Sequence, residues 1–263
     1  MIGFIGSGNM AGAIIKGLIK AGCRATKLAV YDICREKAQS LADRYSLCVM
    51  DSEKEIAEKC DTVVLAVKPD VFPSLLEKIG EELKANDPLI ISIAAGKTTE
   101  FIASLLPYTP RLIRIMPNIN AKAQAAISAY CGNERITDSD KEFVKEFCNT
   151  FGRGIEIAEK NFSIYSAIGG CSPAFAYMFI DSLARAAVKN GMTKAEALEV
   201  AAQAVLGSAK LILESDEHPW RLIDEVCSPG GTTIEGVCAL QGYGFEAAVE
   251  AAVEASYNKD KRL

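Results

Sequence analysis

Histidine is nearly absent from this chain: His218 is the only one among 263 residues. With one imidazole, a zinc or di-metal centre is not expected. An excess of basic residues is also lacking, since 29 Lys and Arg face 34 Asp and Glu, for a formal net charge of −5. That balance gives no reason to expect nucleic acid or an anionic membrane as partner. No apolar run approaches the length of a membrane span. No basic leader precedes the first glycine motif. Met1-Ile2-Gly3-Phe4-Ile5 runs straight into it and reads as structure, not as a signal peptide. Nine cysteines are present, but the number is odd and no Cys-x-x-Cys pair occurs. Widely spaced thiols of this kind suit reduced, small apolar residues in a cytoplasmic protein.

What the chain does have is alternation. Short β-rich runs at 2–5, 28–31, 62–67, 89–93 and 112–116 are separated by helical patterns at 9–21, 36–45, 51–58, 71–83 and 99–105. Strand–helix alternation argues for an α/β fold, a doubly wound parallel sheet with helices on both faces. After Pro117 come another β-rich run (126–131), a charged helix (139–151) and a short strand (154–158). Beyond residue 158 the β signal stops, and 175–189, 194–214 and 245–257 read as helices. The expected division is therefore 1–158 for the sheet domain and 159–263 for an all-helical domain. Residues 195–213 are apolar on nearly every face, and a helix of that kind must be buried all round. About a hundred helical residues are too few to cover it, so a second subunit is expected to help.

The first β-run opens directly into Gly6-Ser7-Gly8-Asn9-Met10-Ala11, which fits Gly-x-Gly-x-x-Ala between a strand and a helix. In such a Rossmann-type unit Gly6 makes the turn, Gly8 lets the backbone approach a pyrophosphate, and Ala11 permits close helix–strand packing. Asp32 falls at the end of the second strand, where a carboxylate accepts from the ribose 2′-hydroxyl of NADH and repels the 2′-phosphate of NADPH. Arg35 and Lys37 follow closely and offset part of that repulsion. Two later strand ends, Ala66-Val67-Lys68-Pro69 and Ile93-Ala94-Ala95-Gly96, are expected to complete the cofactor crevice. Lys68 reads equally well as a solvated loop lysine.

A second glycine turn, Ser228-Pro229-Gly230-Gly231-Thr232-Thr233-Ile234-Glu235-Gly236, precedes an apolar-periodic helix. The start of that helix offers unpaired N–H groups and the positive end of a dipole to a small anion. An ordinary N-cap, with Ser228 or Thr232 capping and Pro229 in the first turn, is the alternative.

Together these segments resemble the pyrroline-5-carboxylate reductases. The resemblance rests on Gly3–Ala11, Val67-Lys68-Pro69, Arg114-Ile115-Met116-Pro117-Asn118, Gly170-Cys171-Ser172-Pro173-Ala174, His218-Pro219 and Ser228–Gly236, in the family's order. It implies reduction of the cyclic imine 1-pyrroline-5-carboxylate to L-proline by NADPH or NADH, the last step of proline biosynthesis. It further implies a homodimer with interlocked helical domains, in some members built into larger assemblies. Carried over by residue, the substrate contacts fall on Ser228, Gly231, Thr232 and Thr233, with amides of Gly231–Thr233 on the carboxylate and the Thr233 hydroxyl at the ring nitrogen. Met116, Pro117 and Asn118 fall near the nicotinamide. Two departures stand out: Cys171-Ser172 replaces the Ser-Gly of many members, and Asp32 is atypical of those that prefer NADPH. The residues themselves add that the second half holds no Lys, His or paired-carboxylate constellation, and His218 before Pro219 reads as a structural cap. The rival enzyme reading is a β-hydroxyacid dehydrogenase or related imine reductase. It lacks its catalytic lysine here, because Lys189-Asn190 has the wrong spacing. A non-catalytic dinucleotide sensor would not need the second anion loop.

Overall fold

Short runs rich in Val, Ile and Leu suit strands covered on both faces. In the computed structural model, which describes residues 1–262, they form eight strands. These are β1 (Ile2–Ile5), β2 (Leu28–Tyr31), β3 (Cys48–Val49), β4 (Thr62–Leu65), β5 (Leu89–Ser92), β6 (Arg111–Pro117), β7 (Ala126–Gly132) and β8 (Gly152–Glu156). Their order is β3-β2-β1-β4-β5-β6-β7-β8, and every pair from β3 to β6 is parallel. β7 runs antiparallel to β6, and β8 parallel to β7, so the sheet is parallel at every pair but one. The reason is loop length. Only a 3-10 turn, Ile119–Ala123, lies between β6 and β7, and a parallel return needs a crossover of a dozen residues or more.

Helices cover both faces. On one, α1 (Asn9–Lys20), α2 (Arg35–Tyr45) and α6 (Asp138–Asn149) bury Ile14, Leu18, Ala38 and Phe147 against Phe4 and Val30. On the other, α3 (Glu53–Lys59), α4 (Phe72–Asn86) and α5 (Thr99–Ser104) bury Ile56, Leu76, Ile79 and Ile102 against Ile5, Val63 and Ile90. A one-turn helix, α7 (Phe162–Tyr165), leads into a π-helical turn over Ser166–Cys171. The first compact unit spans Met1–Gly170, joined by residues 260–262.

The second unit, Cys171–Lys259, is helical throughout: α8 (Ser172–Lys189), α9 (Lys194–Glu214), α10 (Pro219–Val226), α11 (Thr232–Gly242) and α12 (Phe245–Asp260). Helix α10 lies in a stretch to which the sequence pattern assigned no element. Pro219 supplies the first-turn φ, and His218 caps the helix, its Nδ1 accepting from the Trp220 N–H at 3.3 Å. This unit buries little. Ala184, Ala197 and Ala201 are covered, while Met178 is 75% exposed, Leu206 61% and Leu213 72%.

Candidate active-site crevice

The parallel strands share one carboxyl edge. Ile5 lies level with Tyr31 and Leu65, Leu65 with Ser92, and Ser92 with Arg114, so β6 projects three residues further. The residues that the sequence assigned to the cofactor fall at this edge, in the loops that leave it, in the first turn of α1 (Asn9, Met10, Ala11) and at the end of β6 (Met116, Pro117). At Gly6 the backbone has φ +105°, and a Cβ would sit 2.6 Å from the Ala66 carbonyl oxygen. No other residue fits where these two loops cross. Gly8 is the N-cap of α1, makes no side-chain cap bond, and faces open space where a Cβ would stand. Asn9 is exposed, Met10 half-buried against the core, and Ala11 buried in the helix–strand contact. An uncapped helix start beside open space fits a pyrophosphate.

Asp32 is tied to the glycine loop. Its Oδ2 accepts from the Ser7 N–H and the Ser7 hydroxyl, both at 2.8 Å, and its Oδ1 from the Cys34 N–H at 2.9 Å. Burial alone pushes this carboxyl up, but those donors, with Lys37 nearby, hold it below the usual carboxylate range. On one side of Asp32 opens a cavity of about 310 Å³ walled by Ile33, Val67, Val71 and Leu75. On the other, a groove of about 740 Å³ runs between α1 and α2, past Lys16, Lys37, Arg44 and Lys122. Sequence reasoning missed that groove. Its signal was the recurrence of cations on the facing sides of two helices.

Further along the edge, Ala66, Val67 and Pro69 are half-buried; Lys68 is exposed, its carbonyl accepting from the Val71 N–H at 3.1 Å and its ammonium group making no hydrogen bond or ion pair among the described residues. Ala95 is exposed beside Gly96, whose φ is +74°. Met116 and Pro117 are half-buried. Asn118 is buried, its Nδ2 donating to the Gly169 carbonyl at 2.8 Å and its Oδ1 accepting from the Asn120 N–H at 3.2 Å.

In the second unit the other glycine turn is built for its helix. Gly230 has φ +67°, the Gly231 N–H donates to the Ser228 carbonyl at 3.0 Å, and a Cβ on Gly231 would run into Ser228 Oγ. Gly231 itself is the N-cap of α11 and no side chain caps it. Neither Ser228 nor Thr232 serves as the cap. Ser228, Thr232 and Thr233 are exposed, at a helix start whose first-turn amides lack a capping side chain. Among the described residues no group of three or more His, Cys, Asp or Glu could hold a metal ion. No helix among them is long and apolar enough to cross a membrane.

Comparison with known proteins gives this arrangement its context. The family model described as pyrroline-5-carboxylate reductase dimerisation matches residues 159–263. The model described as NADP oxidoreductase, coenzyme F420-dependent, matches residues 1–96. The pyrroline-5-carboxylate reductase of Escherichia coli (strain K12) is 41% identical over 263 residues, covering 100% of this chain and 97% of its own. The chain belongs to the pyrroline-5-carboxylate reductase family. The solved family member from Coxiella burnetii superposes with a TM-score of 0.94 at 30% identity, over 99% of this chain and 97% of that one. The Plasmodium falciparum structure, solved with NADP bound, gives 0.87 at 33% identity over the same shares. The chain is thus an NAD(P)H-dependent oxidoreductase.

Proposed function

We infer that the chain reduces the C=N bond of 1-pyrroline-5-carboxylate to give L-proline. The observation that carries this reading is the 41% identity to the E. coli reductase along the whole chain. When bound, the reduced nicotinamide supplies the hydride. The chain's own work is orientation. The α1 N-terminus and Gly8 hold the pyrophosphate, the loops bearing Ala66–Pro69 and Ala95 line the crevice, and Met116, Pro117 and Asn118 border the nicotinamide. The amides of Gly231–Thr233 hold the substrate carboxylate beside Ser228, with the helix dipole in support. The Thr233 hydroxyl accepts from the ring N–H, because a cyclic imine is already largely protonated near neutral pH. No strong enzymic acid is then needed, and fixing the imine carbon toward the hydride donor is the main contribution.

For cofactor choice we place NADH first. Asp32 keeps one acceptor site, on Oδ1, beyond the three donors it already serves, so it can accept from a ribose 2′-hydroxyl, and its charge opposes a 2′-phosphate. Lys37 at the groove mouth softens that opposition. The working unit is a homodimer through the helical domain, open to assembly into larger sets of dimers. Free thiols throughout fit a cytoplasmic setting.

Following nicotinamide absorbance with pyrroline-5-carboxylate tests the reading, with oxidation dependent on the imine as the expected result. No oxidation with either nucleotide overturns it, and a wide preference for NADPH overturns the weight given to Asp32. Thr233→Ala is expected to cut turnover at least about tenfold with nucleotide binding intact. Unchanged turnover removes Thr233 from the site.

A further inference from the structure

Residues 159–170 follow the last strand and precede the second unit, and no part of the proposed chemistry uses them. Their side chains are nonetheless spent on two loops of the crevice. Glu159 accepts from the Thr99 N–H at 2.8 Å and from the Thr99 hydroxyl at 2.7 Å, at the foot of the loop that bears Ala95. The Arg114 guanidinium on β6 pairs with the same carboxylate at 3.2 Å and lies 4.3 Å over the Phe162 ring. Three residues on, the Tyr165 hydroxyl stands 3.0 Å from the Met116 carbonyl and 2.8 Å from that of Ile127. It bridges the ends of β6 and β7 where the hairpin leaves the sheet.

The π-helical turn completes the arrangement. Widened turns of this kind leave backbone groups without their usual helical partners and recur at functional sites. Here the Gly169 carbonyl accepts from Asn118 Nδ2 at 2.8 Å. Position 169 has no room for a side chain, since a Cβ would lie 2.7 Å from the Tyr165 ring. Thr99, Arg114, Tyr165 and Asn118 are all at most 9% exposed, so the Asn118–Gly169 bond is shielded from water and those to Glu159, whose side chain is 28% exposed, are partly so.

Sheet order separates these loops from the glycine motif. Four strand spacings of about 4.8 Å, roughly 19 Å, lie between β2, which presents Asp32, and β6. A ligand confined to the β2 end cannot sense the geometry of Met116–Asn118. We propose that residues 159–170 are the positioning scaffold of the nicotinamide half of the crevice. Glu159 acts through Thr99 on the β5 loop, and Tyr165 acts through the Met116 carbonyl on the β6 end. Neither residue touches the cofactor. The proposal rests on the dinucleotide reading of the crevice.

The test compares two ligands by calorimetric titration of the full-length protein. One is the reduced dinucleotide that the wild type binds more tightly, and the other is ADP-ribose, which lacks only the nicotinamide ring. Tyr165→Phe removes one hydroxyl and is expected to weaken the dinucleotide about fivefold while ADP-ribose stays within about twofold. Glu159→Gln and Thr99→Val are each expected to do the same. The double variant is expected to be no worse than either single one, because both break one link. Parallel weakening of both ligands would mark a merely structural role and overturn the scaffold, as would no change in either. Additive losses in the double variant would overturn the route through Thr99. Wild-type protein that binds neither ligand defeats the dinucleotide reading itself, a different outcome from all of these.

Discussion

Asp32 ties the glycine loop to the end of β2 and, in the proposed cofactor site, serves a ligand as well. Its place at the end of β2 could be read from spacing alone, three positions before Arg35 and just after an apolar run. Its partners could not, because they depend on how the Gly6–Gly8 loop folds back, a matter of dihedral angles. The structure gives it the Ser7 N–H and hydroxyl on one oxygen and the Cys34 N–H on the other. Its carboxyl is held low, so its stabilising effect is present above the unfolded value of about 3.9 and lost as pH falls through the folded one. Asp32→Ala is therefore expected to destabilise the protein by roughly 2 kcal/mol at neutral pH, the scale of hydrogen bonds to a charged group. Urea unfolding measures the difference, which narrows as the pH is lowered below about 4. A gap that persists undiminished at low pH would mean that Asp32 acts by packing and not by charge.

Elements were legible where periodicity decided them and obscure where contact distances did. The strand–helix alternation of the first half and the long helices α8 and α9 follow from spacing of apolar residues. The antiparallel turn of β7 does not, since the β-run at 126–131 carries no mark of direction. Short elements such as β3 and α10 were missed because two or eight residues give too little pattern. Helix α1 illustrates what only packing reveals. A Cβ on Gly17 would come within 2.7 Å of the Thr150 carbonyl oxygen and 2.8 Å of Phe151 Cβ, so α1 presses on the turn between α6 and β8. Backbone cannot yield there as a flexible side chain does. Gly17→Ala gains about 1 kcal/mol of helix propensity but incurs about 1–3 kcal/mol of overpacking, a net loss. Gly12, on the same helix, would meet only Leu41 Cδ1 at 3.5 Å, an ordinary contact. Thermal unfolding of the two variants separates these cases: Gly12→Ala holds or gains stability, and Gly17→Ala loses it. The reverse order would contradict the packing described for α1.

At the scale of the whole molecule the decisive quantity is uncovered apolar surface. Helix α9 is apolar on nearly every face, yet only Ala197 and Ala201 are buried along it, and α10, α11 and α12 bury no residue fully. Val200 is 59% exposed and Leu206 61%, with Met178 at 75% on the neighbouring α8. Monomeric proteins rarely leave contiguous apolar surface of this kind in water. The family model that matches residues 159–263 is one of dimerisation, which supports an oligomer, and in the proposed homodimer a second copy of the chain is the occupant. That a partner was needed could be read from the sequence, but its contacts could not, because an all-round apolar helix does not say which face goes where. A charge placed on this surface separates association from folding. Leu206→Asp leaves the isolated chain little changed, since the leucine is already mostly in water, but in the proposed homodimer it would set an unpaired carboxylate in the subunit contact, costing several kcal/mol. Light scattering is expected to show a dimer or a multiple of it for the wild type and a monomer for Leu206→Asp. If the substrate half of the site works only when the helical domains are paired, imine reduction falls with dimer content while ADP-ribose binding at the β2 end persists. A wild-type chain that stays monomeric and fully active at micromolar concentration would refute the pairing, and the exposed face of α9 would need another occupant.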